Sequence, residues 1–443
     1  MTGMGDHPAE PAPAPDDRHA GSGRDRVVAA LTDVWKTERP RIVAAIARRT
    51  GDLQAAEDAV QEAFAAASTN WVQDGVPNRP GAWLTTTAWR KAVDEQRRHR
   101  FPLAAATPSD FDAQAADPRH APADAIPSVT EDDLLALMMV CCHPALPPEA
   151  QVALTLRHVA GLRDDRIAAL LLVTPATVTK RLVRARAKIR DAGIPFGVPD
   201  AQRLHQRLEQ LRTVIYLIFT EGYLPAGREG SGADDLCAEA VWLALQLHEL
   251  LPDDDETTGL AALLLLQHAR AGARQDGGEI VAFAAQDRGK WDCAALDRAK
   301  ALLATTTGTP PGPYRIEAAI ALLHAVAPSV EAIDWPQIAR LYDILLRLDP
   351  TPVVAVNHAM AHGRAAGPGC GLALLDPLLN DPRLAGYLPM WAAHAELLER
   401  CRDPGAAAAW RRAAAMADSE PQRRQLLQRA EAATRPVGVR PAR

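Results

Sequence analysis

The sequence predicts an all-α protein, and three observations carry that prediction. Phe and Tyr number only six and five in 443 residues. β-Branched residues are scattered where a strand would alternate them. Apolar residues return every three or four positions along most of the chain. With 48% hydrophobic and 23% charged residues, the composition is that of folded protein and excludes wholesale disorder. A chain of this length holds about two to four domains. No apolar run approaches the roughly 18 residues that span a bilayer; the longest, 260–267, is closely followed by His268 and Arg270. The opening residues lack the apolar core of a signal peptide, so a cytoplasmic protein with no membrane partner is expected.

Residues 1–24 are mostly Pro, Ala, Gly, Asp and His with no apolar period, and read as a disordered N-terminus. Residues 25–100 form a helical domain. Val27, Leu31, Val34 and Trp35 make one stripe, Ile42, Val43, Ile46 and Ala47 a second, and Ala56, Val60, Ala63, Phe64 and Ala67 a third. A loop dense in Asn, Gly and Pro over 70–81 precedes a helix over 83–100. Residues 101–130 hold five prolines and four aspartates and read as a flexible acidic linker. Residues 131–195 return to helix in short segments that stop at Gly193 and Pro195. From 196 to 443 helices succeed one another with no convincing strand. Helices over 230–330 show no clear period, whereas the last six fall into amphipathic pairs recurring at about 35 residues, the spacing of a tetratricopeptide-like stack.

The net charge of −6 taken as an average argues against a nucleic-acid partner, but the charge is segregated. In residues 174–190, Thr174 suits a helix cap and Pro175 the first turn. Val178, Leu182, Ala185 and Ile189 form the buried stripe, while Lys180, Arg184 and Lys188 lie four apart on another face beside Arg181 and Thr177. Like charges at that spacing destabilise an isolated helix by a few tenths of a kcal/mol each. Six basic residues with no acid before Asp191 therefore point to a polyanionic partner. Upstream, a glycine turn at Gly161 and a short helix complete the layout of a helix-turn-helix, whose second helix enters the DNA major groove. The plainer alternative is a solvated basic face on a helical hairpin.

A second cluster spans residues 83–100, where Arg90, Lys91, Arg97, Arg98 and Arg100 alternate with Trp83 and Trp89. Aromatic rings hold unstacked bases while cations neutralise phosphates. The alternative places both tryptophans in the core and leaves the arginines to complement a helix C-terminus.

These segments resemble a known family. Residues 41–100, with Asp52, Asp58 and Phe64 and then Trp83, Asp94, Arg97 and Arg98, are similar to region 2 of bacterial sigma factors. The helix-turn-helix, with Arg157, Gly161, Ile167, Val178, Arg181 and Arg184, is similar to region 4. Two such regions with little between them resemble the extracytoplasmic-function (ECF) group of the sigma-70 family, and the long tail resembles the subgroup with a tetratricopeptide-like extension. The resemblance implies that Asp58, Gln61, Glu62 and Phe64 bind the polymerase, on the β′ clamp. Phe64 is equally a core candidate. It implies that Asn78, Arg79, Trp89, Arg90, Lys91, Arg97 and Arg98 serve the minus-10 element, and that Arg157, Thr177, Thr179, Lys180, Arg181 and Arg184 serve the minus-35 element. Core polymerase, through its β′ clamp and β flap, and promoter DNA are the implied partners. Asp165-Arg166 stands where relatives often carry Glu.

No enzyme site, metal site or cofactor is expected. Cys141-Cys142-His143 reads as core packing, with redox sensing as the alternative. His358 and His362, four apart, read as surface or capping residues because the metalloprotease Glu is missing between them. Tyr216, Phe219, Glu221, Tyr223 and Trp242 are candidates for a contact surface, with core packing the default for the aromatics. The tail is expected to regulate, through a protein partner or an intramolecular contact. A stand-alone helix-turn-helix regulator is the alternative, and it leaves the 58–64 and 83–98 patterns unexplained.

Overall fold

The computed structural model describes residues 17–100, 129–171, 173–199, 201–223, 233–276, 279–281, 283–307, 310–417 and 420–434. Most of the expected N-terminal lead-in and the linker through residue 128 lie outside them. Contacts divide the chain into two compact units, 1–167 with 176–207 and 168–175 with 208–443.

The first unit opens with α1 (Asp17–Thr37), α2 (Arg39–Thr50), α3 (Leu53–Asp74) and α4 (Pro80–Arg100). The first helix starts at Asp17, so residues 17–24, expected to be disordered, extend the amphipathic turn that buries Val27 and Val34. Left-handed Gly51 (φ 68°) closes α2, and Asp52 caps α3 by accepting from the Gln54 and Ala55 amides. Ile42, Val43, Ile46, Val60 and Leu84 are at most 1% exposed and form the centre of this bundle.

The unit continues with α5 (Glu131–Cys141) and α6 (Pro148–Leu154), which runs into a π-helical turn over Thr155–Val159, then α7 (Asp164–Leu170) and α8 (Pro175–Asp191). Helix α5 is apolar from Leu134 to Cys141 and packs against α2. Regions expected as two modules on a flexible tether are therefore one compact unit here. The physical reason is α5, which is buried on all sides and needs a second surface to cover it.

The second unit holds most of α9 (Ala201–Tyr223), then α10 (Ala233–Leu250), α11 (Asp255–His268), α12 (Cys293–Thr305), α13 (Pro313–Val326), α14 (Trp335–Leu348), α15 (Pro352–Ala365), α16 (Pro368–Leu375), α17 (Leu388–Arg400), α18 (Ala406–Ala414) and α19 (Glu420–Thr434). Ten consecutive residues of α11, Thr257–Leu266, are buried, and α10, α12 and α13 pack around it. A helix covered on every side has no amphipathic period. The expected all-α class holds, and among the described residues the only ladder joins two-residue strands β1 (Gln275–Asp276) and β2 (Glu279–Ile280). From α13 onward helices pair as neighbours, α14 with α15, α17 with α18 and α18 with α19. Two cores serve this stretch, one around Ile316, Ile338 and Leu345 and one around Met390, Trp391 and Trp410.

Candidate polymerase and nucleic-acid interfaces

Helix α8 buries Val178, Leu182, Ala185 and Ile189, as its stripe predicts. That burial turns Thr179, Lys180, Arg184 and Lys188 to solvent, with Thr177 and Arg181 half-buried at the margin. Among the described residues no carboxylate forms an ion pair with Lys180, Arg181, Arg184 or Lys188. Thr179 donates to Asp164 Oδ2 at 3.0 Å, which ties the first turn of α8 to the start of α7. Left-handed Gly161 (φ 77°) makes the preceding turn, and a Cβ there would lie 3.0 Å from Arg39 Nη1. The left-handed conformation favours glycine here, and a Cβ would crowd the Arg39 and Trp35 side chains.

Arg157, expected as a DNA contact, is turned inward in this structure and is half-buried. Its guanidinium donates to the Leu162 carbonyl at 3.1 Å and lies 3.8 Å from Glu57 and 3.6 Å from Asp164. The cause is Glu57, a carboxylate 0% exposed on the inner face of α3. Arg39 Nη2 meets both Glu57 oxygens at 2.5 Å, Gln61 donates to Oε1 at 2.9 Å, and His158 Nδ1 is 3.4 Å from Oε2. Arg39 also donates to the His158 carbonyl at 3.2 Å. Burial alone raises the Glu57 pKa, but Arg39, His158 and Arg157 outweigh it and hold the carboxyl well below its usual range. Burial lowers the His158 pKa and keeps the imidazole neutral. This cluster joins α2 and α3 to the π-turn, and the sequence reading missed it. Arg39, Glu57 and His158 are far apart in sequence and sit in no motif.

Along the outer face of α3, Asp58 and Glu62 are exposed. Gln54 donates to Asp58 at 2.7 Å, and Glu62 pairs with Lys91 of α4 at 2.9 Å. Gln61 is half-buried and turned to Glu57. Phe64 is in the core, 8% exposed, edge-on to Trp35 at 4.9 Å. It therefore drops out of the exposed polymerase-binding set, because the α3 face that carries Val60 and Ala67 is turned inward.

Asn78 and Arg79, just before α4, and Arg97 and Arg98 near its end are exposed, while Trp89, Arg90 and Lys91 are half-buried. Arg98 pairs with Glu95 at 2.8 Å. Lys91 has its charge matched by Glu62, as Arg98 has by Glu95. Trp83 leans edge-on against buried Trp71 at 5.6 Å, and Trp89 lies under the Arg49 guanidinium at 5.8 Å. Trp83 is therefore packed against the core and Trp89 partly engaged, each of them half-buried.

Both Cys141 and Cys142 are buried, and Cys142 Sγ is 3.4 Å from Thr155 Oγ1. Burial pushes the Cys142 thiol up to about 12 and that of Cys141 well above its usual range. Burial and the raised pKa values both fit the packing role. In the second unit, Phe219 is buried and stacks on Tyr223 at 5.5 Å, and Tyr216 tilts against Tyr314 at 5.9 Å. A cavity of about 310 Å³ between α11, α13, α14 and α15 is lined by Tyr216, Arg270, Glu317, His324 and Tyr342 among others. Burial, with Asp349 and Glu256 nearby, raises the Glu317 pKa to about 7. No helix among the described residues is long and apolar enough to cross a membrane.

Comparison with known proteins finds family matches over three segments of the chain. Sigma-70 region 2 matches residues 34–101 and sigma-70 region 4 matches residues 136–189. Residues 207–307 match a family of unknown function (DUF6596), and the paired-helix stretch lies C-terminal to that match. An uncharacterized protein of Rhizobium meliloti is 42% identical over 353 residues, 79% of this chain and 82% of its own length. The probable RNA polymerase sigma factor RfaY of Xanthomonas campestris is 33% identical across 39% of this chain and 42% of its own length. The probable ECF RNA polymerase sigma factor SigI of Mycobacterium tuberculosis is 31% identical across 39% of this chain and 58% of its own length.

Proposed function

This chain belongs to the sigma-70 family, in its ECF-like group, and from that premise we propose that it binds core RNA polymerase and directs promoter-specific initiation. The observation that carries the proposal is the order of the two regions, each with a charged face turned outward. Asp58 and Glu62 on α3 are the polymerase-facing pair, docking on the β′ clamp. Region 4 docks on the β flap. Arg97 and Arg98 at the end of α4 take phosphates of the minus-10 element, while Asn78, Arg79, Trp89 and Arg90 face its unstacked bases. Lys180, Arg181 and Arg184, with Thr177 and Thr179, read the minus-35 element from the major groove. The protein acts as a specificity factor and performs no chemistry of its own.

Two promoter elements lie along one duplex, whereas the Arg39–Glu57–His158 cluster holds the region 2 helices and the π-turn together. We propose that this contact opens on polymerase, and that its opening frees Arg157 for a phosphate. The tail, residues 208–443, regulates this step. Mixing the full chain with core polymerase tests the first part: a stable complex forms, and Asp58→Arg abolishes it. Deleting residues 200–443 tests the second, since promoter-dependent output then changes. Equal output from both forms under all conditions would remove the regulatory role. A stand-alone helix-turn-helix regulator has no use for a region 2 fold, and no observation favours it.

A further inference from the structure

Helices α14 and α15 lie side by side, and three side chains converge where they meet. His358 Nε2 is 2.8 Å from Asp343 Oδ1, and His362 Nε2 is 3.0 Å from the same oxygen. The two imidazoles are one helical turn apart, with ring centroids 4.5 Å from each other. One potential ligand atom from each residue lies within 4.8 Å of the other two. His358 is 12% exposed, His362 25% and Asp343 39%, so the carboxylate edge is open to water. Among the described residues no Lys or Arg pairs with Asp343.

We propose that Asp343, His358 and His362 form a binding site for a transition-metal dication, of which zinc is the leading candidate. Two imidazoles and one carboxylate are borderline ligands, suited to zinc, cobalt, nickel or copper and poorly suited to calcium or magnesium, which take oxygen. Tetrahedral zinc with bonds of about 2.0–2.1 Å sets neighbouring ligand atoms about 3.3 Å apart. The present N···O separations of 2.8 and 3.0 Å need to widen by only a few tenths of an ångström, within the reach of side-chain rotation. Both histidines already present Nε2. In the loaded site each imidazole carries its single proton on Nδ1 and offers Nε2 to the metal, beside a carboxylate oxygen of Asp343. Three protein ligands leave the fourth position for water or a group from a partner. The ion cross-links two neighbouring helices of the paired stretch. The site lies outside both regions that match sigma-70.

The test is a titration of the metal-free full chain with zinc alone at neutral pH, followed by calorimetry, against Asp343→Asn and the His358→Ala/His362→Ala double variant. The wild type takes up one zinc that the double variant does not, and Asp343→Asn weakens it at least about tenfold. Zinc held by the exposed thiols of Cys293, Cys370 or Cys401 would persist in all three proteins. Cobalt substitution supplies a second readout, since a four-coordinate site gives an intense visible band that is absent from a variant shown by circular dichroism to be folded. Equal zinc uptake by wild type and double variant, or none by the wild type, overturns the proposal.

Discussion

Replacing Glu57 by Ala leaves Arg39, 1% exposed, without its carboxylate. Arg39 then keeps the carbonyls of His158 at 3.2 Å and Arg157 at 3.4 Å and the face of Trp35 at 4.9 Å, with the Arg157 cation close by. Breaking a buried ion pair from one side costs about 3–5 kcal/mol, and the loss of the one carboxylate that Arg39 and Arg157 share, with Asp164 left 3.6 Å from Arg157 alone, places Glu57→Ala within that range. Arg39→Met is milder, near the lower end, because Glu57 retains Gln61, His158 and Arg157 as partners. The double Arg39→Met/Glu57→Met variant removes both charges and returns within about 1 kcal/mol of the wild type or exceeds it. Urea unfolding of the full-length protein, read by hydrogen exchange of α2 and α3 amides, tracks the first unit alone. Single variants that each cost under about 1 kcal/mol, or a double variant as unstable as the sum of the two, refute the reasoning. The pair has a pH signature too. Glu57 has a lowered pKa in the folded state, so its stabilisation is complete above the unfolded carboxylate pKa of about 4.5 and is lost as pH falls below it.

Three further outcomes rest on particular side chains. Glu317, raised to about 7, works in the opposite direction: stability of the second unit is greater below the unfolded pKa and declines by up to about 3 kcal/mol as pH rises from about 4.5 to 7. Glu317→Gln flattens that slope in thermal melts, and an unchanged slope would exclude Glu317 as its source. Gly161→Ala, at φ 77° and against Arg39, costs about 1 kcal/mol or more, whereas a cost near zero in urea unfolding would contradict the strain. Thiol reagents modify Cys293, Cys370 and Cys401 in the native protein and spare Cys141, Cys142 and Cys237, which mass spectrometry of the labelled peptides resolves; rapid labelling of Cys142 would refute its burial.

The α8 helix was legible because its buried residues return at helical spacing and its cations occupy the other face. The glycine turn at Gly161 was legible as a local break between helical segments, whereas the cap at Asp52 emerged only with the structure. Helix α11 gave no period because it is buried on every side, so the signal that identifies surface helices is missing there. Phe64 was ambiguous for a different reason: an aromatic on a helix reads the same at a core and at an interface until its neighbour, Trp35, is known. The Arg39–Glu57–His158 cluster was invisible in the sequence, since each residue taken alone looks like an ordinary charge or a lone histidine. Asp343 escaped notice as a companion of His358 and His362 because it lies on the preceding helix.

The central claim rests on initiation, and run-off transcription tests it most directly. Bacterial core polymerase with this protein, on a promoter library, is predicted to start at defined sites that core alone does not use. Those starts disappear with Asp58→Arg and with Lys180→Ala/Arg184→Ala, whose residues are exposed and whose replacement leaves the core packing intact. Absence of any start dependent on the protein, both for the full chain and after removal of residues 200–443, would contradict the account.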